Sequence, residues 1–187
     1  TTAGAGPEPA ASATPAPTPE DEAAALAGVP FEARVATRRG DPRPPSYWAL
    51  WNSCAPENRS ATAAANGGRA ARWFIMDDFI ADPGIQLGDY PVANCAEGLQ
   101  LLRAATGTSA GLDDLAGRLL AAELNLNAGA ETCPIAEETV VAAHLILAAA
   151  GFDGSEEYDR SISEEIANAI PQVRELLATY NSGQLCR

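Results

Sequence analysis

Thr132-Cys133-Pro134-Ile135-Ala136-Glu137-Glu138-Thr139-Val140-Val141-Ala142-Ala143-His144-Leu145-Ile146-Leu147-Ala148-Ala149-Ala150-Gly151 holds the longest apolar run in this chain, and its reading decides the fold class. Thr132, Pro134 and the Glu137–Glu138 pair form a helix start. Proline presets the backbone of a first turn, and carboxylates meet the positive end of the helix dipole. Gly151 supplies the stop. The apolar part, Val140 to Ala150, is too short to cross a bilayer. It therefore reads as a buried helix, with Val140, Val141, Leu145 and Leu147 as its apolar residues.

The helical period continues to both sides. Leu112, Leu115, Leu119, Ala122 and Leu126 recur at helical spacing and stop at Asn127–Gly129. Residues 93–105 place Cys95, Leu99 and Leu102 on one face. Gly67-Gly68 precedes Trp73, Phe74, Ile75, Met76, Phe79 and Ile80, which Pro83-Gly84 ends. Ser46 is placed to cap a short helix carrying Tyr47, Trp48, Leu50 and Trp51. Ser163 with Glu164 and Glu165 opens the last helix, lined by Ile166, Ile170, Val173, Leu177 and Tyr180, with Pro171 as a kink or restart. The predicted fold is all-α: a disulfide-stapled helical bundle of about five helices over residues 46–187, behind an extended N-terminal arm, residues 1–45.

The arm has its own composition. Residues 1–28 are mostly Ala, Thr, Pro, Gly and Glu, too poor in large apolar side chains to offset their ordering entropy, which reads as a solvated stalk. In residues 30–37, Phe31, Ala33 and Val35 alternate with Glu32, Arg34 and Ala36, a strand period with no clear second strand to pair. Such a strand either lies along the helical domain or adds to a neighbouring subunit. Phe31, Ala33 and Val35 are the predicted assembly contacts. Arg38 to Pro45 is a turn-rich hinge. Thr14, Thr18 and Ser12 beside prolines are candidate O-glycosylation sites, and Asn58-Arg59-Ser60 fits the N-glycosylation sequon.

Cys54, Cys95, Cys133 and Cys186 each fall at the edge of a predicted helix, which reads as a disulfide framework and hence an oxidising, extracellular setting. If the helices around Cys95 and Cys133 pack antiparallel, both cysteines lie at one end of the hairpin. That favours Cys95–Cys133 and leaves Cys54–Cys186; the other two pairings stay open. The formal charge of -13 disfavours nucleic acid and anionic lipid as partners. All twelve basic residues are arginine, so lysine Schiff-base chemistry is excluded within the chain. Thr1 is expected to be a mature N-terminus.

Four stretches carry a resemblance. They are Ser46-Tyr47-Trp48-Ala49-Leu50-Trp51-Asn52-Ser53-Cys54, Gln86-Leu87-Gly88-Asp89-Tyr90-Pro91-Val92-Ala93-Asn94-Cys95, Leu120-Ala121-Ala122-Glu123-Leu124-Asn125-Leu126-Asn127-Ala128-Gly129-Ala130, and Leu177-Ala178-Thr179-Tyr180-Asn181-Ser182-Gly183-Gln184-Leu185-Cys186. In this order the chain resembles helical C-terminal domains of secreted bacterial proteins whose signatures read YWxNWxxC, LGxxxVxxC, LAAxLNxxAGA and LxxYNNGxLC. Leu50 and Ser182 stand where those signatures have Asn. The resemblance implies a surface or secreted module, commonly appended to other extracellular domains, and lends no catalytic residue. Here a stalk and a strand precede it, as expected of a small repeating subunit.

Residue types needed for chemistry are sparse. His144, the one histidine, sits in the apolar run and reads as a buried, hydrogen-bonded core histidine rather than a catalytic base. No CxxC or HExxH spacing for zinc occurs, and no cofactor is expected. In Asp153-Gly154-Ser155-Glu156-Glu157-Tyr158-Asp159, Tyr158 occupies the position where a calcium loop needs glycine, so the stretch reads as a solvated loop. Asp77-Asp78 and Asp113-Asp114 read as helix-face or helix-start charges. Tyr47, Trp48 and Trp51 read as core, or less readily as a platform for sugar rings. Asn125, Asn127, Asn181 and Gly183 read as helix-end chemistry. The expected function is structural and non-enzymatic: a secreted bacterial surface protein, glycosylated, whose copies assemble into a fibre. The alternative is an adhesin-like module for glycan or protein. Copies of the chain itself are the expected partners, with glycan second and without nucleic acid or membrane insertion.

Overall fold

The computed structural model describes residues 40–54, 76–81, 84–107, 111–154 and 162–187. The described residues are mostly helical. In chain order they form α1 (Pro45–Leu50), α2 (Met76–Ala81), β1 (Gln86–Leu87), β2 (Tyr90–Pro91), α3 (Cys95–Ala104), α4 (Leu112–Asn127), α5 (Pro134–Ala149) and α6 (Glu164–Asn181). The predicted strand at 30–37 with Phe31, Ala33 and Val35, and the candidate glycosylation residues Asn58, Thr14 and Thr18, lie outside the described residues. Within them, the extended structure is the hairpin β1–β2, antiparallel with Gln86 opposite Pro91 and Leu87 opposite Tyr90. The sequence reading had passed over this hairpin. Two-residue strands are too short to display an alternating pattern.

Helix starts follow from local chemistry. Asn94 Oδ1 accepts from the N–H groups of Ala96 and Glu97, and the Glu97 carboxylate turns back to accept from Ala93 N–H, a reciprocal cap for α3. Ser163 Oγ accepts from Ile166 N–H and opens α6, as predicted. α1 begins at Pro45, so Ser46 lies within the helix and is not its cap; the preset proline backbone starts the turn instead. α6 runs unbroken through Pro171. Gly183, with φ +71°, ends it, as expected of the glycine in that motif.

α4 forms the centre. Leu112, Leu115, Ala116, Leu119, Leu120 and Leu124 are buried along it, and α1, α3, α5 and α6 pack on it. The approach of α3 is close at Gly117: a Cβ there would lie 2.0 Å from the carbonyl oxygen of Leu101. Trp48 and Trp51 are in the core, Trp48 meeting Phe79 edge-on.

Two buried polar groups join elements distant in sequence. Asn125 Oδ1 accepts from Arg43 N–H at 2.8 Å and Trp48 Nε1–H at 3.0 Å. Its Nδ2 donates to Arg43 O and Asn181 Oδ1, and Asn181 Nδ2 donates to Arg118 O. Every hydrogen-bonding site of the Asn125 amide is used. Asn125 and Asn181 stand in the last turns of α4 and α6, and their side chains cross-link the entry segment, α1, α4 and α6. Asp114 is likewise fully buried, its carboxylate set between Arg118 Nε at 2.9 Å and Arg174 Nε at 2.5 Å. Burial pushes this carboxyl up, and the two guanidinium groups oppose that.

All four cysteines are paired, but as Cys54–Cys95 and Cys133–Cys186. This corrects the expected Cys95–Cys133 and Cys54–Cys186 pairing. The reason is helix length: α3 has 10 residues and α4 has 16, so α4 overshoots α3 by about 9 Å at 1.5 Å per residue. Cys133 is carried past Cys95. It meets Cys186 at the end of α6, while Asp77 accepts from the Ser53 N–H and hydroxyl and helps hold Cys54 beside the start of α3. Closing spans of 41 and 53 residues stabilises the fold by about 4 kcal/mol each on the loop-entropy account. Two disulfides fit an extracellular protein. No helix among the described residues is long and apolar enough to cross a membrane.

Candidate interaction surface

α5 is the helix that departs most from its sequence reading. Pro134 occupies its first turn and Cys133 its N-cap, held by the disulfide to Cys186. Ala136, Thr139, Val140, Ala143, Ile146 and Leu147 face the core. Val141 and Leu145, expected in that core, face outward at 57% and 66% exposure, and Ile135 is 46% exposed. The correction has a simple cause. The inward stripe centres on Ala143, and Val141 and Leu145, two residues to either side, are turned about 160° away from that centre on a helix of 3.6 residues per turn.

Ile135, Val141 and Leu145 are the exposed large hydrophobic side chains among the described residues, and all three are on α5. Steps of three and four residues run from Ile135 through Glu138, Val141 and Leu145 to Ala149, and every one of these is exposed. The row is apolar except for Glu138. Glu137 flanks it and is also exposed, and α5 carries no arginine or lysine.

One edge of the row is pinned by His144. The Gly88 N–H donates to His144 Nδ1 at 3.1 Å, so that nitrogen is the acceptor and Nε2–H donates to Glu123 Oε1 at 2.7 Å. The side chains of His144 and Glu123 are 30% and 23% exposed. His144 is thus hydrogen-bonded as predicted but lies at the rim, not in the core. Both ring nitrogens are committed to protein partners, which leaves no lone pair for a substrate proton. Gly88 is at φ +66°, and a Cβ there would come 2.7 Å from Ala148 N, so the β1–β2 turn sits directly on α5.

The remaining predicted residues separate cleanly. Trp48 and Trp51 are buried, which removes both rings as a sugar platform, while Tyr47 is half-buried with the Arg43 guanidinium over its ring. Of the acidic loop only Asp153 and Gly154 are described. Asp77 approaches Cys54 and Cys95, but sulfurs bonded to each other are not thiolate ligands. A small depression of about 50 Å³ lies beside Asp41, Glu131, Tyr180 and Arg187, next to the Cys133–Cys186 disulfide. The Tyr180 hydroxyl is buried and has no hydrogen-bond partner among the described residues, and its burial, then Glu123 and Glu137, push it up to about 12.

No family model, curated protein or solved structure matches this chain. The outer face of α5 is therefore read on its own geometry. A row of aliphatic side chains on a rigid, disulfide-anchored helix excludes water on contact; it offers burial, not bond chemistry.

Proposed function

We propose that the protein is an extracellular structural subunit, a disulfide-stapled helical bundle whose copies assemble into a surface fibre with the N-terminal arm contacting a neighbouring subunit. One observation carries this reading: the exposed large hydrophobic side chains of the described residues are gathered on one helix face, not scattered. Single scattered hydrophobics are ordinary, whereas exposed aliphatic side chains gathered along one helix face, here broken only by Glu138, mark a contact surface. Covering what remains exposed of each side chain is worth about 1–2 kcal/mol, enough in repeat to hold an array together. The two disulfides support the extracellular setting and keep the face rigid in dilute surroundings. Negative-stain microscopy and sedimentation of the full chain test the proposal. Filaments or ordered oligomers that grow with concentration support it, and loss of them on deleting residues 1–37 supports the role of the arm. A monomer at every concentration overturns it.

A further inference from the structure

We infer that the outer face of α5 is the acceptor for residues 31–39 of a neighbouring copy, an inference that rests on the assembly reading and names its contact. The acceptor is a row of three exposed aliphatic side chains, Ile135, Val141 and Leu145, bordered by Glu137 and Glu138. The donor segment reads Phe31-Glu32-Ala33-Arg34-Val35-Ala36-Thr37-Arg38-Arg39. Its apolar side chains alternate, and it holds three arginines against one glutamate in a chain whose net charge is -13. An apolar edge with excess positive charge matches an apolar row with negative borders. Arginine also suits carboxylate borders because its planar fork can bond both oxygens.

The entry point of the chain fixes where that segment joins the described residues. Gly40 pairs with Ala130 in a parallel bridge, and Glu131 N–H donates to Gly40 O at 3.1 Å. The row on α5 begins at Ile135, directly after Pro134. Phe31 stands nine residues before Gly40, a reach of up to about 30 Å when extended. That span is long enough to meet a neighbouring copy, and the assembly reading assigns the segment to that copy.

The test places a photo-reactive phenylalanine analogue at position 31 of the full-length chain and mixes it with an isotopically heavy wild-type chain. After irradiation, digestion and mass spectrometry identify the joined peptides, and sedimentation of the same mixture records association. The expected result is light position-31 peptides joined to heavy peptides from residues 134–149, lost when the heavy chain carries Leu145→Glu. Leu145 is exposed, so this change leaves the core intact. Cross-links only between light peptides of one chain overturn the inference in favour of a self-docked arm. Association with cross-links elsewhere overturns the acceptor site but leaves the assembly reading standing. Absence of association overturns both.

Discussion

Asn125 concentrates more structural consequence than any other described side chain of its size. It is 1% exposed, and its four hydrogen bonds link Arg43, Trp48 and Asn181. Asn125→Ala strands the Trp48 indole N–H and the Asn181 amide oxygen inside the protein, and burying such groups unpaired costs about 1–3 kcal/mol each. The expected loss is about 3 kcal/mol of unfolding free energy, read as a lower denaturant midpoint at unchanged m-value; a loss within about 0.5 kcal/mol would show that the hub is not the cross-link described. Glu97 sets a pH dependence. Ala93 N–H first, then the Tyr90 hydroxyl and the Asn94 amide, hold its carboxyl below the ordinary 4.5. A carboxyl lowered by folding adds stability above its unfolded value, and that stability is lost as pH falls through the lowered one. Glu97→Gln should therefore flatten the acid limb of a stability–pH curve below about pH 4.5; an unchanged limb would contradict the cap. Tyr180 has the opposite sense. Its proton is held more tightly in the folded state, up to about 12 against an ordinary 10.0, so its contribution is present below pH 10 and is withdrawn as pH rises toward 12. In a phenolate absorbance titration this ring should ionise later than an ordinary tyrosine and together with unfolding. Ionisation near 10 in the folded protein would show that it is not buried.

Elements meet here at close tolerances. Gly117 lets α3 approach α4, and a Cβ would strike the Leu101 backbone. Gly117→Ala should cost about 3 kcal/mol, measured in the same unfolding assay, because backbone cannot swing aside as a side chain can. Much of this level was legible in the sequence. Helix starts with a chemical signal, such as Pro134 with Glu137 or Ser163 with Glu164, fall where expected. The cysteine pairing was not legible, because it depends on the six-residue difference in length between α3 and α4, a quantity set by where helices fray and stop. Peptide mapping without reduction should recover Cys54–Cys95 and Cys133–Cys186. Recovery of a Cys95–Cys133 peptide would contradict the packing of α5 beyond the end of α3.

Across the whole molecule, the candidate surface was visible as residues but not as a surface. Hydropathy registers Val140 to Ala150 as one apolar run, yet burial depends on angle around the helix, and Val141 and Leu145 point away from α4. His144 was the available signal. A polar ring inside an apolar run needs hydrogen-bond partners, and here it finds Gly88 and Glu123 at the rim of the core. Asn125 and Asn181 were hidden for a related reason: their roles arise only when α4 and α6 come together. The same frame holds the acidic body, the exposed face and the basic segment before Gly40 in one chain. Sedimentation velocity of the full-length protein against its Leu145→Glu variant, across a concentration series, tests that arrangement most directly. The account predicts concentration-dependent association of the wild type and a monomeric, equally stable variant. Equal association of both would contradict it.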